Sequence, residues 1–291
     1  MKTIILGANG QLGCDLLKAF QSSGSDVVGL THQDVEVSDA TALESKWESL
    51  KPDVVVNTAA FHNVEACETE PQTAFAVNAL GARLLANASV QHRFKLIHVS
   101  TDYVFDGAKG RPYVEEDCPQ PLNTYGNSKL SGEYFIRAVA RDYAIVRVSA
   151  LYGAAPCRAK KGLNFVKTML KLARERGEVK VTADEFVTPT YTVAAAMQIL
   201  KLAQAGLSGL FHATPQGQCS WFEFAEAIFR DTGTAVKLSR ATSADFPAKV
   251  PRPRYSVLDN KGLHKAGLDI MPEWTKCLRD YLKETGELKQ G

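Results

Sequence analysis

Thr3-Ile4-Ile5-Leu6-Gly7-Ala8-Asn9-Gly10-Gln11-Leu12-Gly13 is the stretch that decides the fold. Thr3 to Leu6 reads as a short buried strand, and Leu12 to Phe20 as the amphipathic helix that follows it. Between them the glycines fall in a GxxGxxG pattern. Glycine lets the backbone turn sharply there and approach a pyrophosphate, which then sits on the helix N-terminus. Three glycines in a turn carry little weight alone. Their place directly after the first strand is what a dinucleotide site requires.

Working outward, the same strand–turn–helix unit recurs through the first half of the chain. Val27 to Leu30, Asp53 to Asn57, Lys95 to Val99 and Tyr143 to Val148 read as strands. Ala40 to Leu50, Thr73 to Ala88 and Tyr125 to Ala140 read as helices between them. Strands that are apolar throughout belong to a parallel sheet covered on both faces. Alternation with helices then implies right-handed crossovers and an α/β, doubly wound parallel sheet. Past Gly153 the regularity breaks. Ala154 to Gly162 reads as a small-and-basic loop, Leu163 to Arg176 as a helix and Val179 to Thr182 as a strand. Tyr191 to Ala205 is a helix, Leu210 to Ala213 a strand returning to the main sheet, and Trp221 to Arg230 another helix. Residues 231–291 are mixed, with Pro247, Pro251 and Pro253 punctuating a loop. The expected division is a dinucleotide-binding domain over 1–153, with 191–214 returning to it. A smaller, interleaved C-terminal domain over 154–190 and 215–291 would complete a cleft at the strands' carboxyl ends.

Composition narrows the function. The 291 residues carry 34 Lys+Arg against 32 Asp+Glu, a net charge of +2 that offers no basic face for nucleic acid. No apolar run approaches the roughly 20 residues that cross a bilayer, and no signal-peptide core follows the first methionine. The expectation is a cytoplasmic protein without membrane contact. Six cysteines, no two nearer than 39 positions, contain no CxxC or zinc-knuckle spacing, and the six histidines form no HExxH. They read as reduced thiols and offer no metal site.

Two further segments carry chemistry. The second strand ends Leu30-Thr31-His32-Gln33, with no acid to hold a ribose 2′-hydroxyl, and Asp34 falls late. The missing repulsion leans toward NADP(H), with NAD(H) also accommodated. In Tyr125-Gly126-Asn127-Ser128-Lys129, tyrosine and lysine share one helical face about 6 Å apart along the axis. A phenol of pKa about 10 is a poor acid–base group at neutral pH, and lowering it by three units takes about 4 kcal/mol of differential interaction. A neighbouring ammonium supplies such stabilisation. By itself the pair reads as an exposed Tyr and Lys on a helix. Ser100-Thr101-Asp102, which aims a hydroxyl into the cleft at the end of the Lys95–Val99 strand, and the glycine loop change that weighting.

Glycine loop, hydroxyl and YxxxK together resemble the short-chain dehydrogenase/reductases with their Rossmann fold, and within their sugar-nucleotide branch the dTDP-4-dehydrorhamnose reductase family. The resemblance rests on Gly7 to Gly13, on Asn57-Thr58-Ala59-Ala60 with Val64 and Glu68, and on Ser100 to Gly107. It continues through Pro121 to Lys129 with Gly132-Glu133, Asn164 to Leu170, Thr188-Pro189-Thr190 and Arg252 to Leu258. It implies an NAD(P)H-dependent reductase of a nucleotide-linked 4-keto-6-deoxy sugar. Tyr125 would protonate the developing alkoxide, Lys129 would hold the nicotinamide ribose and depress the Tyr125 pKa, and Thr101 would bond the carbonyl oxygen. Gly7, Gly10, Gln11, Leu12 and Gly13 match the pyrophosphate loop, Ala59, Ala60 and Asn78 the cofactor lining, and Asp39 the segment near the adenine. His62, Val64, Thr101 and Tyr103 match sugar-side positions, and Asn164 and Arg252 lie toward the nucleotide. Asn164 reads equally as a helix cap and Arg252 as a partner of a surface acid.

Three departures bear on the substrate. Ala150 stands where relatives usually carry a tryptophan, His62 where threonine is usual, and Asp184-Glu185-Phe186-Val187 where a glycine is usual. Asp15 matches one magnesium position at the subunit interface of some relatives, but the others have no counterpart, so no metal is expected; a homodimer stays open. Two other readings remain. One is a cofactor-holding regulatory subunit like that of methionine adenosyltransferase. The other is a nucleotide-sugar epimerase or dehydratase, which would retain its cofactor through the cycle.

Overall fold

The computed structural model describes residues 1–157, 162–246 and 248–289. The basic part of the 154–162 loop and Pro247 lie outside them. Strands β1 (Lys2–Leu6), β2 (Asp26–Leu30), β3 (Val54–Asn57), β4 (Lys95–Thr101) and β5 (Tyr143–Val148) are all parallel. Between them run α1 (Gln11–Ser22), α2 (Ala40–Leu50), α3 (Val64–Thr69), α4 (Pro71–Phe75), α5 (Gly81–His92) and α6 (Thr124–Val139).

Alternate residues of each strand enter different cores, as a pleated strand requires. Ile5, Val56, Ile97 and Val146 pack with Leu16, Phe20 and Ile199 on one face. Ile4, Leu6, Val55, Leu96 and Ile145 pack with Trp47, Leu85 and Ile136 on the other. Both faces being covered explains why these strands are apolar throughout.

The second half adds β6 (Leu151–Tyr152), α7 (Phe165–Arg176), β7 (Glu178–Thr182), β8 (Phe186–Val187), β9 (Thr190–Tyr191) and α8 (Thr192–Ala205). It continues through β10 (Gly209–His212), β11 (Cys219–Ser220), α9 (Trp221–Thr232), β12 (Lys237–Ala241), α10 (Lys261–Lys265) and α11 (Trp274–Glu284). β10 does return, pairing parallel with β5 to complete the sheet order β10-β5-β4-β3-β1-β2. α7, α9, α11 and β7 enclose a separate core of Val166, Leu170, Val181, Ile228, Leu278 and Leu282. None of the described helices is long and apolar enough to cross a membrane.

The helix expected over 73–88 is three pieces. α4 passes through a π-helical turn at Ala76–Leu80 into α5, and α3 precedes them unannounced. The turn brings the backbone against α6: a Cβ on Gly132 would lie 2.3 Å from the Asn78 carbonyl oxygen. Only a residue without a side chain permits that approach. The short strands β6, β8, β9, β11 and β12 also escaped the reading, because two residues show no period and β12 alternates too weakly.

Candidate active site

The glycine loop leaves the carboxyl end of β1 as expected. Gly7 has φ +77, and a Cβ there would meet Thr58 Oγ1 at 2.7 Å and Ala59 N at 2.9 Å. Gly13 approaches the loop closely enough that its Cβ would lie 2.2 Å from the Gly7 carbonyl oxygen. Gly10 caps α1 with no side-chain hydrogen bond and no acid in the first turn, leaving the backbone N–H groups around Gln11, Leu12 and Gly13 for an anion. This narrow, donor-rich cradle fits a dinucleotide pyrophosphate. The Gln11 amide donates to Gly153 O and Ala155 O, both 3.0 Å, so it ties the loop to the chain beyond β6.

At the carboxyl end of β4, Thr101 is 6% exposed, donates to Asp102 Oδ1 at 3.1 Å and accepts from the Tyr103 N–H at 3.1 Å. Tyr125 stands in the first turn of α6, half-buried, with its ring edge-on to Tyr103 at 5.8 Å. The helix start is fixed by Asn123, which accepts the Gly126 N–H and donates to Pro251 O. One turn on, Lys129 is buried, with Nζ 2.8 Å from Val99 O and 3.1 Å from His98 Nε2. Thr101 and Tyr125 thus meet through a side-chain hydrogen bond, with Lys129 one turn further along the same helix.

Burial pushes the Tyr125 phenol well above its ordinary pKa, helped by Asp102 and Tyr103 and opposed by a hydrogen bond with Thr101. The Lys129 amine is engaged by His98 and Val99. Burial against a weaker pull from Glu133 brings Lys129 itself down to about 8. A phenol that holds its proton is suited to donating one. Burial also raises Asp102 to about 6, although Ser256, Ser149 and Thr101 all bond it. Tyr103 is pushed up to about 12 by burial and the Asp102 charge, against the pull of Arg252. Arg252 also works against the burial that raises Glu185, so both charges border this end of the cleft.

Several expected ligands are occupied otherwise. The Asp39 carboxylate caps α2, accepting from Thr41 and Ala42 N–H at 3.0 Å. Asn164 caps α7 and spends both amide protons on Gly153 O and the Tyr281 hydroxyl. Asn78 accepts from Phe61 N–H and donates to Phe61 O and Ser128 Oγ, shaping the loop that carries Ala59 and Ala60 rather than presenting itself. His62 is exposed after β3, its ring 3.3 Å from Ala60 O, and Val64 opens α3. Ala150 takes a left-handed backbone, φ 44, and its carbonyl accepts from Thr190 N–H. Asp15 is buried and takes hydrogen bonds from Thr192 Oγ1 and Lys18 Nζ.

The sequence reading missed the support beneath the trio. Glu133 accepts from Ser100 Oγ (2.5 Å), Arg147 Nε (2.9 Å) and Arg147 Nη2 (2.6 Å), all buried. The single polar side chain inside Leu96-Ile97-His98-Val99 was the available signal for His98.

Comparison with known proteins agrees with this geometry. The family model described as the RmlD substrate binding domain matches residues 1–287. A dTDP-4-dehydrorhamnose reductase from Clostridium acetobutylicum superposes with TM-score 0.94 at 40% identity, over 98% of this chain and 100% of that one. A dTDP-4-dehydrorhamnose reductase from Bacillus anthracis, solved in complex with NADP, gives 0.92 at 36% identity, over 97% and 99%. The spore coat polysaccharide biosynthesis protein SpsK of Bacillus subtilis is 38% identical over 284 residues, 97% of each chain.

Proposed function

The chain belongs to the dTDP-4-dehydrorhamnose reductase family, and on that premise we propose that it reduces the C4 ketone of dTDP-4-dehydrorhamnose to dTDP-L-rhamnose. The observation that carries the reading is the hydrogen-bonded pair Thr101 and Tyr125, with Lys129 one turn on, on the same sheet edge as an uncapped, glycine-lined helix start.

Bound in the glycine cradle, a reduced nicotinamide dinucleotide, NADPH in preference to NADH, supplies the hydride. The N–H groups around Gln11 to Gly13 hold the pyrophosphate, and Ala59 and Ala60 line its path. Thr101 Oγ1 bonds the ketone oxygen, exchanging its bond to Asp102 for one to the substrate. Tyr125 passes its proton to that oxygen as negative charge develops there, a general-acid contribution typically of about 10²–10⁴-fold. Lys129 sits one turn away to hold ribose hydroxyls. Tyr103, His62 and Val64 border the sugar, with Arg252 toward the nucleotide phosphates. Asp39 and Asn164 act through the segments they cap.

The same reading divides the chain into a dinucleotide-binding unit, 1–153 with 191–214, and a substrate unit, 154–190 with 215–291. It assigns the protein to the cytoplasm, a reading supported by six cysteines that are all free.

The test is oxidation of NADPH or NADH on addition of dTDP-4-dehydrorhamnose. Tyr125→Phe should lose at least a hundredfold in kcat while binding NADPH within about threefold of the parent. Unaltered turnover in that variant would remove Tyr125 as the acid.

A further inference from the structure

Strand register sets Asn57 directly beside His98, and His98 faces Lys129 from below the cleft. The hydrogen bonds among these groups fix where the protons are. Asn57 Oδ1 accepts the Ala59 N–H at 3.0 Å, so the amide nitrogen is the atom 3.0 Å from His98 Nδ1. An amide NH₂ only donates, and Nδ1 must therefore offer a lone pair. A neutral imidazole then carries its proton on Nε2, the atom 3.1 Å from Lys129 Nζ. An ammonium has three donors and no lone pair, and would set N–H against N–H. An uncharged amine accepts from Nε2–H and still donates to Val99 O at 2.8 Å. Turning the Asn57 amide over opposes it to the Ala59 N–H, and a doubly protonated ring meets a donor on both sides. With Asn57, His98 and Lys129 all at most 2% exposed, none of these mismatches is relieved by bulk solvent.

We propose that His98, held in its Nε2–H form by Asn57, is a positioning residue that biases Lys129 toward its uncharged amine form in the cofactor-free site. The proposal rests on the reductase reading only for what Lys129 later does: meeting ribose hydroxyls beside an anionic pyrophosphate, it takes up a proton on binding. Burial holds His98 well below the ordinary histidine pKa, consistent with a ring that never doubly protonates. Other charges around Lys129 do not supply the missing acceptor. Glu133, on its own helix, is committed to Arg147 of β5 and Ser100 of β4. Asp102, after β4, is held by Thr101 and Ser149, and Tyr125 keeps its proton.

The experiment uses cofactor-free, full-length protein labelled with ¹⁵N-histidine and ¹³Cε-lysine, the Lys129 signal assigned by its loss in Lys129→Met. His98 should appear as the Nε2–H tautomer, and Lys129 should titrate near 8, about two units below an ordinary lysine. Asn57→Asp still accepts from Ala59 N–H but now accepts from His98 too, so the ring should switch to Nδ1–H. The Lys129 midpoint should then rise by a unit or more. His98→Gln, able to turn its carbonyl toward the amine, should raise it likewise if Asn57→Asp does not fold. Proton uptake on NADPH binding, measured calorimetrically at pH 9 in buffers of different ionisation enthalpy, should be near one proton in the parent and fall in both variants. An Nδ1–H ring in the parent, a parent Lys129 midpoint in the ordinary lysine range, or folded variants with an unmoved midpoint would each overturn the proposal. Inactivity toward dTDP-4-dehydrorhamnose would bear on the reductase reading alone, since tautomer and titration are read without substrate.

Discussion

Replacing Glu133 by glutamine should be among the most damaging single changes in this protein. Its carboxylate and the Arg147 guanidinium are each 1% exposed, and three hydrogen bonds of 2.5–2.9 Å converge on its two oxygens. An amide at that position keeps one acceptor and sets its NH₂ against an Arg147 N–H whichever way it turns. The guanidinium is then left buried without its counter-charge, a situation that costs about 3–5 kcal/mol. At about 2 °C per kcal/mol for a chain of this size, the melting temperature should fall by about 6–10 °C. Because Ser100 lies one residue before Thr101 and Glu133 one turn beyond Lys129, turnover should drop as well. Thermal and urea melts followed by circular dichroism measure the cost, for Glu133→Leu, Arg147→Met and the pair as well as for Glu133→Gln. The double variant should recover at least half of the summed single losses, since desolvation of both charges disappears with them. A single-variant cost below about 1 kcal/mol, or a double variant as unstable as the sum, would refute the reasoning.

Two other outcomes follow from the same structure. Gly13→Ala inserts a Cβ 2.2 Å from the Gly7 carbonyl oxygen, so loop and helix must part. Fluorescence titration should show NADPH affinity reduced at least tenfold, with about 1–3 kcal/mol of stability lost. Asp102 has a folded-state pKa raised from 3.8 to about 6, so the native state binds its proton more tightly than the unfolded chain does. That contribution is fully present below about 4 and is lost as pH rises through 6. The stability of Asp102→Asn relative to the parent should therefore improve by about 2 kcal/mol between pH 4 and pH 8, read from urea midpoints. A gap independent of pH would show that the carboxyl is not strained by burial.

What was legible in the chain alone was local in origin. The glycine loop, the apolar strands and the Tyr125–Lys129 spacing are each set within one turn or one helix, and periodicity reports them directly. From these came the doubly wound sheet, its returning β10 and the candidate trio of Thr101, Tyr125 and Lys129. The support for that trio was not legible, because it is made by strand register. Asn57 stands beside His98, and Ser100 beside Arg147, only once β3, β4 and β5 align. A capping residue and a ligand also read alike in sequence. Asp39 and Asn164 match ligand positions, and their side chains close helix ends. The pKa of Tyr125 turned likewise on tertiary structure. Spacing put an ammonium one turn away, but partners from β4 decide where that amine points and the depth of burial decides what the phenol feels.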